Sequence, residues 1–372
     1  MPEKCKTIIN LIEGVAPVHL AEPWDNVGLQ VGNPDREVHR VMVCLEVTEA
    51  VIDEAIEKRV DMIITHHPLI FKAIKSICAS DPVGKLLHKL IRHDIILYCA
   101  HTNLDTAVGG TNDVLAQALN LEDVIFLKKT YQEIFYKLVV YVPETHIELV
   151  RASICEAGGG HIGDYRYCTY QTMGTGTFMP LKGSNPYIGK ENELEKVAEY
   201  RLETIVSHKN LKVVIQKMKE SHPYEEAAYD VFALNNNIES FGMGRMGMLK
   251  ERIKLSLLCD ELKLKLGLGH IKVAGDVNRW IQKVALCTGS GAEFIYDAHK
   301  AGCDCFITGD VKYHDAQYAA QLGIAVIDAG HFETEDFACK IIAQTLREMS
   351  KQLNYHIDIV PSMTYINPFN IL

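Results

Sequence analysis

No run of apolar residues in this 372-residue chain approaches the roughly 20 that a bilayer-spanning helix needs, so no membrane span is expected. Met1 to Asn10 is polar and has no apolar signal core, so the chain is expected in the cytoplasm. Lys/Arg-rich runs are also missing. With 38 Lys and Arg against 48 Asp and Glu, the formal net charge is −10. A polyanion needs a basic face, so nucleic acid is disfavoured as the main partner. The eleven cysteines contain no C-x-x-C pair, and many sit inside apolar runs such as Val43-Cys44-Leu45. They read as buried, reduced thiols and not as a thiolate zinc site. No solenoid-period repeat is present, and no Ser/His/Asp arrangement stands out among the sixteen histidines. At 48% hydrophobic and 23% charged, the composition is globular. The length suits two or so domains.

Short apolar runs alternate with amphipathic ones in the first part. Val38 to Val47, Asp61 to Thr65 and Asp94 to Ala100 read as strands, with helices from Thr48 to about Lys58 and from Val83 to His93. The pattern returns late, with strands at Lys283–Cys287, Cys303–Thr308 and Ile324–Asp328 and helices at Ala316–Leu322 and about Thr334–Met349. Such a pattern implies α/β architecture with mostly parallel sheets covered by helices. From about Phe135 to Leu234 the order changes to strand, helix, strand, strand, helix, strand, which predicts an inserted ferredoxin-like α+β domain. The joints fall near Lys128–Thr130 and Asn235–Asn237. They divide the chain into residues 1–130, an insert at 131–235, and residues 236–372.

Four polar clusters directly follow predicted strands: Thr65-His66-His67-Pro68, His101-Thr102-Asn103-Leu104-Asp105, Thr308-Gly309-Asp310 with His314, and Gly330-His331 through Glu335. Open α/β sheets bind ligands at the carboxyl ends of their strands. If the sheet is parallel, one rim gathers His66, His67, His101, Asp105, His314, His331 and Glu335. Neutral imidazole and carboxylate suit zinc, iron, manganese, cobalt or nickel. His331 and Glu335 are four apart and share one helix face. A carboxylate can bridge two cations, and vicinal His66 and His67 point apart, so one could serve each ion. Taken singly, each cluster has a blander reading as a helix cap or a solvated face; the convergence of four favours ligation. Glu22-Pro23-Trp24-Asp25-Asn26-Val27-Gly28 reads mainly as turn and packing, Gly242 to Gly247 as a weak cofactor loop, and Ser221 to Glu226 as a helix-to-strand corner.

The stretches EPWDNVGLQVG (Glu22–Gly32), DMIITHHPLIF (Asp61–Phe71), AHTNLD (Ala100–Asp105), FGMGRMG (Phe241–Gly247), TGDVKYHDA (Thr308–Ala316) and GHFETE (Gly330–Glu335) together resemble the Nif-three-like family. Its bacterial members are often labelled GTP cyclohydrolase 1 type 2 homologs. The middle segment, with GTGTFMP, NPYIG and HPYEEAAYD, is similar to the PII- and CutA-like insert of the longer members. The resemblance implies two divalent metal ions per chain on His66, His67, Asp105, His331 and Glu335. It places His101 and His314 nearby as groups that support the ligands or transfer protons. It also implies a homohexamer, a trimer of dimers, whose partner molecule is small. One departure is visible: relatives usually read leucine–aspartate–valine–threonine where this chain has Leu45-Glu46-Val47-Thr48. The expected function is metal-dependent hydrolysis of a nucleotide or related heterocycle, GTP ring opening included. The alternative is a non-catalytic metal- or nucleotide-sensing regulatory or scaffold protein.

Overall fold

The computed structural model describes residues 2–364 and 367–369. The chain forms two compact units, Met1–Tyr131 with Phe241–Leu372, and Gln132–Ser240. Residues 370–372, at the end of the expected last segment, lie outside the described residues.

The first unit contains a sheet in the order Asp358–Pro361, Arg40–Cys44, Met62–Thr65, Ile96–Cys99, Gly28–Val31. The first four strands are parallel and the last is an antiparallel edge. Met62–Thr65 and Ile96–Cys99 are buried at every position, which explains their unbroken apolar sequence: both faces are covered. Val41, Val43, Met62 and Ile64 pack against Ile8 and Ile12 of the helix Cys5–Val15 and Leu346 of the helix His331–Gln352. On the other face, Met42, Ile63 and Leu97 pack against Val51, Ile52 and Ala55 of the helix Glu49–Glu57. Thr48 caps that helix by accepting from Val51 N at 3.2 Å.

A second sheet holds the late strands. Ala325–Asp328, Cys305–Gly309 and Trp280–Ser290 are parallel neighbours, flanked by antiparallel Lys272–Ala274 on one side and the far part of Tyr229–Lys254 on the other. The four polar clusters therefore lie on two sheets, not on one rim. Sequence periodicity identifies strands but not which strands pair. The helix His331–Gln352 begins three residues earlier than its periodicity predicts, because Gly330 at φ 86° turns the chain straight out of Ala325–Asp328.

In the second unit the helices Ile147–Glu156 and His208–Ser221 alternate with four strand segments, in the sheet order Thr169–Phe178, Glu195–Ser207, Glu122–Pro143, Tyr229–Lys254. Leu138, Val140, Val142, Leu202 and Val206 pack against Val150, Ile154, Val214 and Met218 of the two helices. The insert's second strand runs from Thr169 to Phe178, through Gly174 and Gly176. Glycine weakens a strand in isolation. Here a Cβ on Gly176 would collide with the Glu199 carboxylate, so close packing selects the residue. Among the described residues no helix is long and apolar enough to cross a membrane.

Candidate metal centre

His66 and His67 leave the end of Met62–Thr65, and His101 leaves the end of Ile96–Cys99. Asp105 sits in the wholly buried short helix Thr102–Thr106. His331 and Glu335 occupy the first turns of His331–Gln352. Donor atoms of His66, His67 and His101 lie within 4.8 Å of one another, as do those of His67, His331 and Glu335.

Three of the four imidazoles share one pattern of support. His66 Nδ1–H donates to the Ala100 carbonyl at 2.9 Å. His101 Nδ1 meets both Asp25 oxygens at 3.0 Å, and His331 Nδ1 meets Asp310 Oδ2 at 2.7 Å. His67 Nδ1 faces Glu46 Oε2 at 4.0 Å, beyond hydrogen-bond range. An acceptor on Nδ1 fixes the tautomer and leaves Nε2 free to ligate, the arrangement seen behind metal-bound histidines.

Glu335 stands at the middle. Its Oε2 is 2.9 Å from His67 Nε2 and 3.0 Å from His331 Nε2, while Oε1 is 3.6 Å from His66 Nε2. Asp105 Oδ1 lies 3.6 Å from the same His66 atom. The two Nε2 atoms of His67 and His331 are 3.3 Å apart. Ligand atoms around a four-coordinate zinc with bonds of about 2.0–2.1 Å lie roughly 3.3 Å from one another, so these spacings fit a divalent ion. His66 Nε2 is buried with no hydrogen-bond partner, an orphan a cation would satisfy.

Electrostatics point the same way. Burial pushes the His66 pKa down, but the Asp105 and Glu335 carboxylates outweigh it and raise it to about 9. His331 is likewise raised to about 9, against burial, by Glu335 and Asp310. Burial pushes Glu335 up, yet the three imidazoles around it hold it well below the ordinary range. Asp105 is raised by burial and by the Glu335 charge, with His66 opposing. The donor set attracts positive charge, and metal binding would displace protons from it. Thiolate ligation does not compete: all eleven cysteines are free, and burial pushes Cys44 up to about 12.

Six of the seven histidines and carboxylates singled out in the sequence thus meet. His314 does not join them. The helix Tyr313–Leu322 begins just before it, and it stays exposed, with the Tyr313 ring 5.3 Å away. From that cluster Asp310 is the residue that reaches the centre. Sequence reasoning left Asp25 to turn and packing. Its side chain is fully buried and also accepts from Thr102 N and Oγ1 at 3.1 and 2.5 Å. Burial raises its pKa, but the His101 and Thr102 donors bring it down to about 2. Its partner is 76 residues away, so no local signal marked it. Arg245, in the glycine-rich stretch, is no cofactor loop. It lies in a strand, buried, and binds Asp113 and the carbonyls of Ala107, Gly242 and Gly244. It thereby braces the helix Thr111–Ala118, whose Thr111 hydroxyl donates to Asp105.

One mostly parallel sheet and one mixed sheet, with a histidine–carboxylate cluster at the ends of their parallel strands, define an α/β protein with a candidate divalent-metal centre. The chain belongs to the Duf34/NIF3 (NGG1p interacting factor 3) family, whose model matches residues 3–368. It is 42% identical over 365 residues to the Bacillus subtilis GTP cyclohydrolase 1 type 2 homolog, covering 98% of each chain. A Halalkalibacterium halodurans protein of the same name is 40% identical over 367 residues, 99% of this chain and 98% of its own. Among solved structures, a Bacillus cereus protein related to NIF3 superposes with a TM-score of 0.85 at 39% identity, covering all of both chains.

Proposed function

We propose that this protein is a hydrolase that uses two divalent metal ions on His66, His67, Asp105, His331 and Glu335 to open a nucleotide or related heterocycle. One observation carries the reading: the two oxygens of Glu335 face different donors, Oε1 towards His66 and Oε2 towards His67 and His331. A carboxylate so placed can bridge a pair of ions, with Asp105 completing the first side. Ions bound there would supply Lewis acidity to a substrate oxygen and acidify water. His101 is placed to pass a proton at Nε2, with Asp25 on Nδ1 fixing the orientation of its ring.

A cavity of about 560 Å³ adjoins the centre, lined in part by His67, His270, Lys272, Asp310 and His331. Its size suits a small molecule. Trp24 lies 6.2 Å from His101 and 6.0 Å from Phe71, and both apolar rings are exposed, a stacking surface for a flat base beside the metal donors. The name of the relatives makes GTP ring opening the first reaction to test. The strand and helix order of residues 132–240 supports a ferredoxin-like insert, and we propose a cytoplasmic homohexamer, a trimer of dimers, in which that insert covers its sheet edges.

Metal-loaded protein is assayed against a nucleotide panel beside His66→Ala and Glu335→Ala. Turnover of one nucleotide that both variants abolish is expected. Equal rates in all three would assign the activity to a contaminant. Saturable nucleotide binding without turnover would favour the sensing role instead. Elemental analysis after reconstitution should find two ions per chain, and less than half an equivalent would overturn the centre.

A further inference from the structure

The second unit carries its own cavity, of about 640 Å³, which the metal centre does not use. Its floor is the strand Thr169–Phe178. Gly174 and Gly176, two apart and so on one face between Thr172 and Phe178, carry no side chain there, and the Glu199 carboxylate lies over Gly176. Phe178, Tyr187 and Tyr224 form an aromatic wall, with Phe178 and Tyr187 at 5.7 and 6.2 Å from Tyr224. Glu199 lies between floor and wall and is only 8% exposed. Burying a carboxylate beside aromatic rings is costly unless something donates to it. Within the chain, the Tyr224 hydroxyl donates to Oε1 at 2.9 Å.

The surroundings hold Glu199 and Tyr224 in place. His222 Nε2–H donates to the Tyr141 carbonyl at 2.9 Å, and its Nδ1 accepts from Tyr224 N at 3.1 Å. Burial lowers the His222 pKa, so the ring is neutral and this pairing persists at neutral pH. The corner Ser221 to Glu226 is therefore both a helix-to-strand turn and part of a built pocket.

Charge narrows the ligand. Glu199, Glu225 and Glu226 line the cavity, and the basic residue lining it, Arg201, is engaged by Glu203 at 3.1 Å. A triphosphate would be repelled. A flat, neutral ring with N–H groups would stack on the aromatic wall and donate to the buried carboxylate.

We propose that this cavity binds a neutral nitrogen heterocycle that presents two adjacent N–H donors to Glu199, as the 2-amino-6-oxo edge of guanine does, without a triphosphate. The site shares no residue with the proposed hydrolytic centre, since all its lining residues lie within Gln132–Ser240.

Isothermal titration of the full chain, metal-loaded and EDTA-treated, with guanosine, inosine and GTP tests this. Guanosine should bind saturably in both preparations. Inosine, which lacks the amino group, should bind about tenfold weaker or worse. GTP should bind more weakly than guanosine to EDTA-treated protein. Glu199→Gln and Gly176→Ala should each weaken guanosine at least about tenfold with circular dichroism unchanged. The nucleoside ranking on the unaltered chain decides the matter should either variant misfold. Equal affinity for guanosine and inosine, no saturable guanosine heat, a preference for GTP, or binding confined to metal-loaded protein would each overturn the proposal.

Discussion

Gly289 leaves the space that Glu335 occupies: a Cβ at Gly289 would collide with Glu335 Oε1 and come within 3.4 Å of His331 Nε2. The glycine also holds φ at 63°, where a side chain is strained. Gly289→Ala should therefore displace the central carboxylate while leaving the histidines in place. Metal content by elemental analysis should fall from two ions to one or fewer, with secondary structure retained. Full occupancy in a folded variant would show that Glu335 does not need this position.

Asp25 does not reach the proposed ions and acts through His101. Asp25→Asn keeps the shape but can donate to Nδ1, which would turn the proton of His101 towards the metals. Loss of such a supporting carboxylate typically costs 10–100-fold in metal affinity or activity. Chelator competition should show a loss in that range. Glu333→Ala should show almost none, because Glu333 accepts from Asn367 at 2.7 Å and lies outside the donor set.

The position of the donors was legible because buried parallel strands are apolar throughout and turn polar abruptly at their carboxyl ends. Thr65-His66 and Ala100-His101 mark two such switches. His331 and Glu335 were legible from helical spacing alone. His314 carried the same signal as His331, since both follow buried strands. What separates them is the direction in which each following helix leaves, and that is set by packing. Asp25 entered by tertiary contact and could not be found locally, whereas Asp310 lay inside a marked cluster and only its pairing with His331 needed the fold. The strands Glu122–Pro143 and Tyr229–Lys254 run far beyond their apolar segments, because charged residues on exposed positions hide the alternation.

Arg245 is 2% exposed and binds both Asp113 oxygens at 2.7 and 2.8 Å. Its ring-facing side stacks on Phe126 at 4.4 Å. Arg245→Met preserves bulk but strands Asp113 and three carbonyls, and breaking a buried pair costs about 3–5 kcal/mol. Asp113 is a quarter exposed, so the lower end applies. Urea unfolding should show a loss of about 3 kcal/mol, and chelator competition a weaker metal site, because the helix bearing Thr111 loses its brace on Asp105. A stability loss with unchanged metal affinity would separate the two roles.

Glu54 ties the chain's late segment to the helix Glu49–Glu57, and its charge makes that tie pH-dependent. The side chain is 5% exposed and accepts from Ser362 Oγ, Thr364 Oγ1 and Met363 N, with Lys58 Nζ at 2.5 Å. Burial raises its pKa, but these donors outweigh it and lower it to about 2 from an ordinary 4.5. A carboxylate with a depressed folded pKa stabilises the fold fully above its unfolded value. The contribution is lost as pH falls from about 4.5 through about 2, and a shift of this size is worth on the order of 3 kcal/mol. Glu54→Gln removes the charge at every pH. Urea unfolding at pH 7 should therefore separate wild type from variant by an amount of that order. The gap should hold down to about pH 5 and then narrow towards pH 2 as the wild-type carboxylate is protonated. A gap that stayed constant across that window would show that Glu54 contributes hydrogen bonds and packing but not charge.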